Sequence, residues 1–330
     1  MNSSPAPPTP EPPLRPRHRV TAWAAGLLLV VPALIAACRF LDTDAVTPVP
    51  QLLSFLPWLT VPAGLALLLA AVARRRVLTF VTVLVLGATA WSSVPYMPQT
   101  VISYGLPLAR VKVIAANVEF GQGTGALTEV IRREHPQLVF VSECDRACRG
   151  TLTKTFATDL PHYASVEGEG SVGSILLSAY PLRHWRMIPA AMGMPGATAE
   201  IAGVPVQLQL AHPLPPLPRQ VHLWKRELGR VKAAAAAQRT GAMLIAGDFN
   251  ASQDHAAFRA ILDAGRLQDA ARRADASRTP TWPMEGPLPP YVQIDHVLVR
   301  DFSVRDVRFL ALEGSDHRAV LADLDLRGPR

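Results

Sequence analysis

Three long apolar runs near the N-terminus constrain the folding of this chain more than any other feature of its 330 residues. They cover residues 20–41, 52–73 and 77–94, and each has the length of a membrane-spanning helix. A core helix of a soluble protein seldom continues so far with so few charges, and membrane helices tolerate the prolines inside the first two runs. A signal peptide would account for the first run but not for the others. The sequence therefore predicts three transmembrane helices, with the lipid bilayer as a partner.

The net charge of +7 is concentrated beside these runs. Residues 1–110 hold eight Lys and Arg against three Asp and Glu, whereas residues 111–330 hold 25 against 23. Arginines precede the first run and separate the second from the third: Arg15, Arg17, Arg19 and Arg74–Arg76. Since the loop between the first two runs carries Asp42 and Asp44, the positive-inside rule places the N-terminus in the cytoplasm. After three crossings, the chain beyond about residue 97 is predicted to be extracytoplasmic, in a multi-pass protein of the cell membrane.

The sequence divides into four parts. Residues 1–19 are Pro-rich and polar and are predicted to form a disordered cytoplasmic tail, residues 20–97 a membrane domain, and residues 98–110 a linker. From residue 111 to residue 326, short apolar segments alternate with helical ones. They predict a helix at 219–239 and strands at 111–116, 137–142, 174–178, 204–210, 243–247, 292–300, 304–310 and 319–326. About eight strands with few helices between them favour a two-sheet core flanked by helices.

Polar residues stand where several of these strands end or begin. Gly247-Asp248-Phe249-Asn250 follows one apolar strand, Ile294-Asp295-His296-Val297 begins another, and Gly314-Ser315-Asp316-His317-Arg318 precedes the last. The strand that ends at Ser142 is followed by Glu143. Carboxylates, an amide and imidazoles gathered at strand ends are suited to binding a hard divalent cation and hydrolysing a phosphoester.

The order of these polar residues resembles the endonuclease/exonuclease/phosphatase superfamily across residues 110–326. The resemblance rests on Asn117, Glu143, His212, Asp248-x-Asn250, Asp295 and Asp316-His317. It implies an α/β protein with the DNase I-like fold, a four-layer α/β sandwich of two packed mixed β-sheets flanked by helices, over residues 111–326. It also implies a membrane-anchored hydrolase that acts on phosphoester bonds and depends on Mg²⁺, or on Mn²⁺ in its place. The abundance of Ala, Pro and Arg is typical of a bacterial source.

The resemblance assigns the metal site to three residues. Glu143 is expected to bind the divalent cation, and Asn117 and Asp316 are expected to lie near it. Because Mg²⁺ keeps several of its waters, one carboxylate with one or two helpers is sufficient.

The resemblance assigns the chemistry to five further residues. Asp248 is expected to orient or deprotonate the attacking water, and Asn250 to hold Asp248 and donate hydrogen bonds to the phosphate. His317 is expected to contact the phosphate and offset its developing charge, while Asp295 sets the orientation of His317. His212 is expected to make a second phosphate contact. A positioned base of this kind contributes about 10²–10⁴-fold.

Several of these residues also have a purely structural interpretation. Asp248 and Asn250 could form a turn that caps the strand, and Asn117 could end a strand in a turn. His212 could be a surface histidine whose backbone is fixed by the proline after it. His296 is left out of the site, because alternation along a strand points it away from its neighbour Asp295.

Cysteines and loops leave further alternatives open. Cys144 and Cys148 could form a disulfide that stiffens the loop after Glu143, or remain free thiols. Trp282 and Tyr291 lie in or next to a Pro-rich segment and could stack on a base, touch a lipid or pack the loop.

The sequence departs from the superfamily pattern in two places. Ala179 follows Ser178, where many members have an arginine or lysine. A second acidic residue after the first glutamate is not identifiable, and Glu167 and Glu169 are the candidates.

The leading interpretation is a metal-dependent phosphoesterase that hydrolyses phosphodiester bonds outside the cytoplasm, on a nucleic acid or a lipid head group. The near-balanced charge of residues 111–330 gives a polymer nuclease only weak support, since such enzymes normally present a basic face. The alternative is a sphingomyelinase-like lipid phosphodiesterase, or a phosphatase of the same fold. A catalytically inactive binding module is a third interpretation, and no protein partner can be inferred.

Overall fold

The computed structural model describes residues 16–96, 105–238 and 240–328, with only the backbone described for Pro16 and Arg17. Most of the predicted tail and of the predicted linker therefore lies outside the described residues. The contacts divide the chain into two compact units. The helical unit comprises the chain up to Ala37 and Leu56–Ser93, and the α/β unit comprises Cys38–Phe55 and the chain from Val94 onward.

Among the described residues, four helices and a 3-10 turn precede the first strand. They are α1 (Pro16–Phe40), α2 (Val49–Leu53), the 3-10 turn (Leu56–Leu59), α3 (Thr60–Val72) and α4 (Arg76–Ser92). Within α1, His18–Phe40 has the length and the mean hydropathy, 2.2, of a candidate membrane span. By composition and length alone, a core helix or a signal sequence passes the same test.

The prediction of three transmembrane helices is wrong, because among the described residues a single helix is long and apolar enough to cross a membrane. The second apolar run is divided after α2 by the 3-10 turn that contains Pro57. The remaining helical stretches, Leu56–Val72 and Arg76–Ser92, each have 17 residues. At a rise of 1.5 Å per residue they extend about 25 Å, which is shorter than the roughly 30 Å of a bilayer core.

Many large apolar side chains of the helical unit are exposed, and several of its buried side chains are alanines. In α3, Ala63, Ala66 and Ala70 are fully buried and lie on one stripe, whereas Leu65 and Leu68 are 50% and 64% exposed. In α1, Trp23 is 81% exposed. Large apolar surface of this extent normally marks contact with a membrane or another protein.

The α/β unit contains two six-stranded sheets among its described residues. Its strands are β1 (Pro107–Asn117), β2 (Leu138–Ser142), β3 (His162–Val166), β4 (Ser174–Ser178), β5 (Leu182–Met187), β6 (Pro195–Ile201), β7 (Val204–Leu210), β8 (Met243–Asp248), β9 (Gln268–Asp269), β10 (Asp295–Arg300), β11 (Phe302–Ala311) and β12 (Arg318–Arg327). The strand orders are β11-β12-β1-β2-β4-β3 and β5-β6-β7-β8-β10-β9. Each sheet is mixed, since β1 pairs parallel with β2 and β7 parallel with β8.

The core lies between the sheets, and helices cover their outer faces. Phe140 of the first sheet and Leu208 and Leu244 of the second belong to the same buried cluster. The helices are α5 (Thr124–Glu134), α6 (Arg146–Thr155), α7 (Val221–Ala237), α8 (Ala256–Gly265) and α9 (Ala270–Arg273). Helices α5 and α6 pack on the first sheet, and α7 and α8 on the second. The predicted DNase I-like arrangement of two packed mixed sheets flanked by helices is confirmed.

The sequence missed four strands, β3, β5, β6 and β9, for identifiable reasons. β5 is an edge strand whose middle residues are exposed, so it shows little apolar periodicity. β9 has two residues, and β6 begins with Pro195-Gly196, which suggests a turn. β1 begins at Pro107, four residues before the expected start.

Candidate active site

The site lies at one edge of the two sheets, where the chain direction brings several strand ends together. β1 and β2 are parallel, with Asn117 opposite Ser142 at their carboxyl ends. β8 and β10 are antiparallel, so Asp248 at the end of β8 pairs with Asp295 at the start of β10. β12 is antiparallel to β1 and begins directly after His317. The eight residues that the sequence suggested meet at this edge.

Asn117 connects two carboxylates. Its Nδ2 donates to Glu143 Oε1 at 3.1 Å and to Asp248 Oδ2 at 3.2 Å, and its Oδ1 accepts the backbone N–H of Glu119 at 3.0 Å. The other Glu143 oxygen accepts the backbone N–H of Phe120 at 3.3 Å. In this arrangement the Asn117 amide orients the carboxylates, and its own oxygen is engaged by the backbone.

Glu143 is held in an unusual backbone conformation directly after β2. Its φ is 57°, in the left-handed region that costs a non-glycine residue free energy and is often found at functional sites. The next residue, Cys144, forms a disulfide with Cys148 across a Cα–Cα distance of 5.2 Å. Asp145 Oδ1 accepts the Cys148 N–H at 2.8 Å and caps α6. Of the two alternatives left open by the sequence, the structure has the disulfide, and it fixes the chain just after Glu143.

Asp248 belongs to a turn and to the site at the same time. Its Oδ1 accepts the backbone N–H of Asn250 at 2.8 Å, as the capping-turn interpretation expected. Its Oδ2 faces the Asn117 amide and lies 3.7 Å from His317 Nε2. Burial raises the pKa of Asp248, the His317 cation opposes this shift, and Asp295 adds to it.

Asn250 holds the loop after β7. Its side-chain Nδ2 donates to the Pro213 carbonyl at 3.0 Å, and its backbone carbonyl accepts the Trp224 Nε1–H at 3.0 Å. Gly247 lies close to the same loop, because its φ is 142° and a Cβ there would lie 2.3 Å from the Ala211 carbonyl oxygen. The Asn250 amide that was expected to contact the phosphate is therefore hydrogen-bonded to the backbone.

His317 forms a buried pair with Asp295. Its Nδ1–H donates to Asp295 Oδ2 at 2.8 Å, and its Nε2 lies 3.6 Å from Asp316 Oδ1. Burial alone would lower the pKa of His317, but Asp295, Asp248 and Asp316 raise it well above the ordinary value. His317 is therefore an imidazolium whose Nε2–H points into the site.

His212 is a neutral imidazole on the other side of Asp248. Its Nε2 lies 3.6 Å from Glu143 Oε1 and 3.9 Å from Asp248 Oδ2, and burial, with a contribution from His317, lowers its pKa to about 3. Among the described residues, neither ring nitrogen has a hydrogen-bond partner. A buried polar group of this kind is normally satisfied by a ligand or a water, so His212 is suited to a hydrogen bond with a substrate oxygen.

Two residues beside Asp316 were not assigned to the site by the sequence analysis. Trp282 Nε1–H donates to Asp316 Oδ2 at 2.8 Å, and Glu119 Oε2 accepts the Asp316 backbone N–H at 2.8 Å. Burial and the neighbouring Asp316 raise the pKa of Glu119. Its position two residues after Asn117 was the one available signal, and no periodic pattern marks it.

Other candidates lie away from this cluster. Glu167 forms an ion pair with Arg149 at 2.7 Å and lines a pocket with Cys144 and Asp145. His296 is buried on the opposite face of β10, where its Nδ1 lies 2.8 Å from Asp269 Oδ2 and its ring packs against Phe258.

The donor set fits a hard divalent cation. The partners described for the carboxylates of Glu143, Asp248 and Asp316 are histidine, asparagine and tryptophan side chains and backbone N–H groups. Burial raises the pKa of Glu143 and Glu119, so the ionised forms need additional positive charge. Carboxylate oxygens are ligands that Mg²⁺ prefers.

Asp248, Asp295 and His317 form another cluster, since one donor atom from each lies within 4.8 Å of the others. In this group His317 and Asp295 are already hydrogen-bonded to each other at 2.8 Å. Glu143, Asn117 and Asp316 are the candidate ligands that the sequence suggested.

Comparison with known proteins agrees with the fold. The model of the Endonuclease/Exonuclease/phosphatase family matches residues 114–317. The structure of humanized TDP2 from D. rerio aligns with a TM-score of 0.56 and 16% identity, over 66% of this chain and 99% of that one. An endonuclease/exonuclease/phosphatase from Beutenbergia cavernae DSM 12333 aligns with a TM-score of 0.54 and 19% identity, over 66% and 72%. At these identities the structures show a common fold. No curated protein sequence matches the chain.

Proposed function

The chain belongs to the endonuclease/exonuclease/phosphatase family, and we propose that it is a Mg²⁺-dependent phosphoesterase that hydrolyses phosphodiester bonds at the extracytoplasmic face of a membrane. One observation carries the proposal. Asn117 bridges the carboxylates of Glu143 and Asp248, and Asp248 Oδ2 lies 3.7 Å from Nε2 of His317, which is paired with Asp295. This arrangement supports a base and an imidazolium acting beside a carboxylate that binds the metal.

Asp248 is the base that accepts a proton from the attacking water. Its Oδ2 faces the site between His212 and His317, and burial raises its pKa above the usual carboxyl range. A base with a pKa nearer to neutrality takes a proton more readily at neutral pH. The water oxygen then attacks phosphorus, the bond to the leaving oxygen breaks, and the leaving oxygen takes up a proton.

The two histidines bind the phosphate. The His317 Nε2–H donates to a nonbridging oxygen, and its positive charge, kept by Asp295, offsets the negative charge that grows during attack. The neutral His212 provides a second hydrogen bond. When bound at Glu143 and Asp316, Mg²⁺ supplies Lewis-acid polarisation of the phosphate.

The extracytoplasmic location rests on charge and on chain continuity. Arginines lie at the start of the apolar run of α1, and Asp42 and Asp44 follow the helix, which favours an N-terminus in the cytoplasm. Cys38–Phe55, which begins with the last three residues of α1, belongs to the same compact unit as the site. The Cys144–Cys148 disulfide is typical of an oxidising compartment. In sealed right-side-out vesicles, we expect added protease to digest the α/β unit, whereas protection would place it in the cytoplasm.

The activity is tested with the full chain in detergent, with Mg²⁺ or EDTA. The substrates are bis-p-nitrophenyl phosphate, p-nitrophenyl phosphate, plasmid DNA and sphingomyelin, so that diesterase, monoesterase, nuclease and lipid activity are separated. Metal-dependent hydrolysis of one substrate, abolished by Asp248→Asn and by His317→Ala, is the expected result. The exposed Asp275 and His222 supply matched controls, Asp275→Asn and His222→Ala.

The outcomes separate the alternatives. Preference for sphingomyelin would favour the lipid phosphodiesterase, for which the apolar helical unit is a specific argument. Equal rates in EDTA would exclude the metal-dependent mechanism. If the folded wild type and both site variants were inert on every substrate, the binding-module interpretation would replace the enzyme.

A further inference from the structure

The segment Cys38–Phe55, which begins with the last three residues of α1 and includes α2, is part of the α/β unit. Its Asp44 is fully buried. The Asp44 carboxylate accepts a hydrogen bond from the Lys225 ammonium at 2.9 Å and another from the Ala257 backbone N–H at 2.7 Å. His255 precedes α8 without providing a side-chain cap, so Asp44 supplies the missing cap to this helix from a distant part of the chain. The segment is thereby fixed to the second sheet's outer layer.

Two further contacts extend this attachment toward the site. His255 Nε2–H donates to the Pro50 carbonyl at 2.8 Å, while its Nδ1 accepts the Ser252 N–H at 2.9 Å. The Gln51 side chain donates to the Pro216 carbonyl, in the loop that follows β7. These two contacts, made by Pro50 and Gln51, hold α2 in place. Phe55 lies two residues beyond the end of this helix.

Phe55 begins a row of three aromatic rings. Its ring stacks on Tyr291, with centroids 4.2 Å apart and planes 15° apart. Tyr291 meets Trp282 edge to face at 5.5 Å, and the Tyr291 N–H donates to the Trp282 carbonyl at 3.1 Å. Trp282 ends the row with its indole N–H on Asp316 Oδ2 at 2.8 Å. The row connects Phe55, the last residue of the Cys38–Phe55 segment, with a carboxylate of the site.

This row determines which Asp316 oxygen faces the site. With Oδ2 engaged by Trp282, Oδ1 is the oxygen that lies 3.6 Å from His317 Nε2. Partners of this kind, which orient a metal-ligating carboxylate without touching the metal, affect metal affinity about 10–100-fold. The Trp282 ring can hold Asp316 only if its own position is fixed, and the Phe55–Tyr291 stack contributes to that.

We propose that Phe55 is a positioning residue of the active site, which acts through Tyr291 and Trp282 on the orientation of Asp316. The proposal rests on the proposed function, because it treats Asp316 as a group that assists the bound cation. It predicts that the chain before residue 105 is required for full activity for a reason other than attachment to a membrane.

The test uses the full chain and compares Phe55→Ala, Phe55→Leu and Phe55→Tyr. Binding of Mn²⁺ alone is followed by the loss of the free-ion electron paramagnetic resonance signal, and kcat and KM are measured with bis-p-nitrophenyl phosphate. We expect Phe55→Ala to weaken Mn²⁺ binding and to lower kcat by about tenfold, the lower end for such partners. Phe55→Tyr, which keeps the stacked ring, should behave as wild type, and Phe55→Leu should resemble Phe55→Ala. The control is Phe40→Ala, an exposed aromatic in the same segment.

A double variant separates positioning from a general effect on folding. If Phe55 acts through Trp282, Phe55→Ala combined with Trp282→Phe should weaken Mn²⁺ binding no more than Trp282→Phe does alone. Additive losses, or wild-type Mn²⁺ affinity in Phe55→Leu and Phe55→Ala, would overturn the proposal. If Phe55→Ala fails to fold, the comparison of Phe55→Leu with Phe55→Tyr decides.

Failure of the proposed function has a different signature. In that case the wild type would not hydrolyse any of the substrates, and Asp248→Asn would change nothing. Mn²⁺ binding would still report whether Phe55 orients Asp316. A wild type that is active with metal, together with a Phe55→Ala variant that matches it in both measurements, would reject the Phe55 proposal alone.

Discussion

The helical unit exposes more large apolar side chains than the longer α/β unit does. In the helical unit, alanines of α3 are buried and leucines such as Leu65 point outward. In the α/β unit, Leu244 and Phe140 fill the space between the sheets, and the buried ionisable groups of the site are gathered at one edge. The difference indicates that the two units are adapted to different surroundings, since a unit in water is stabilised by burying large apolar groups.

The largest expected effect comes from a substitution at the active site, where the α/β unit buries ionisable groups. Asp248 is 2% exposed, and burial raises its pKa, so its charge is unfavourable to the folded state. Asp248→Asn removes the base and should lower kcat by about 10²–10⁴-fold, while the thermal unfolding midpoint stays the same or rises, because a buried charge is removed. Asp275→Asn should leave both quantities unchanged. A large fall in the midpoint of Asp248→Asn would instead make this residue part of the structural core.

The apolar side of the comparison is tested by two truncations of leucine. Leu244→Ala, between the sheets, should lower the free energy of unfolding by about 2–5 kcal/mol, because it leaves a cavity. Leu65→Ala, on the exposed face of α3, should change it by about 0.5 kcal/mol or less in detergent. Both are measured by denaturant unfolding of the full chain. Equal losses would mean that Leu65 is covered by protein and that the contrast between the units is not real.

Insertion of α1 into a membrane is tested by a charge. Leu27, near the middle of α1, is 77% exposed, and Leu27→Lys should raise the free energy of membrane insertion by about 2.5–3.5 kcal/mol. The readout is the fraction of the chain that stays in the membrane after alkaline extraction. Leu217→Lys, at an exposed leucine of the α/β unit, is the control and should have no effect. If the two variants behave alike, α1 is not a transmembrane helix.

The sequence predicts local features of this molecule better than those set by distant contacts. Buried strands such as β2 and β8 are short apolar runs with a polar group at the end, and their order suggested eight residues that the structure brings to one edge of the sheets. The length of the second membrane run was misjudged because Pro57 redirects the chain into a 3-10 turn within it. Nothing local marks the contact of Asp44 with Lys225, 181 residues later, or that of Trp282 with Asp316. Contacts across such separations in sequence can be recognised only once the strands have been placed in their sheets.

The smallest expected effect concerns the ion pair between Arg308 and Glu134. Arg308 lowers the pKa of Glu134, burial opposes this shift, and Arg133 and Lys112 add to it. Because the folded state has the lower carboxyl pKa, the pair stabilises the fold above the unfolded pKa and loses this contribution as pH falls through the lowered value. Glu134→Gln should therefore cost about 0.5–1 kcal/mol at pH 7, since the arginine partners are largely in solvent. In chemical unfolding as a function of pH, the two curves should converge in the acid range, and a constant gap would attribute the loss to packing and not to charge.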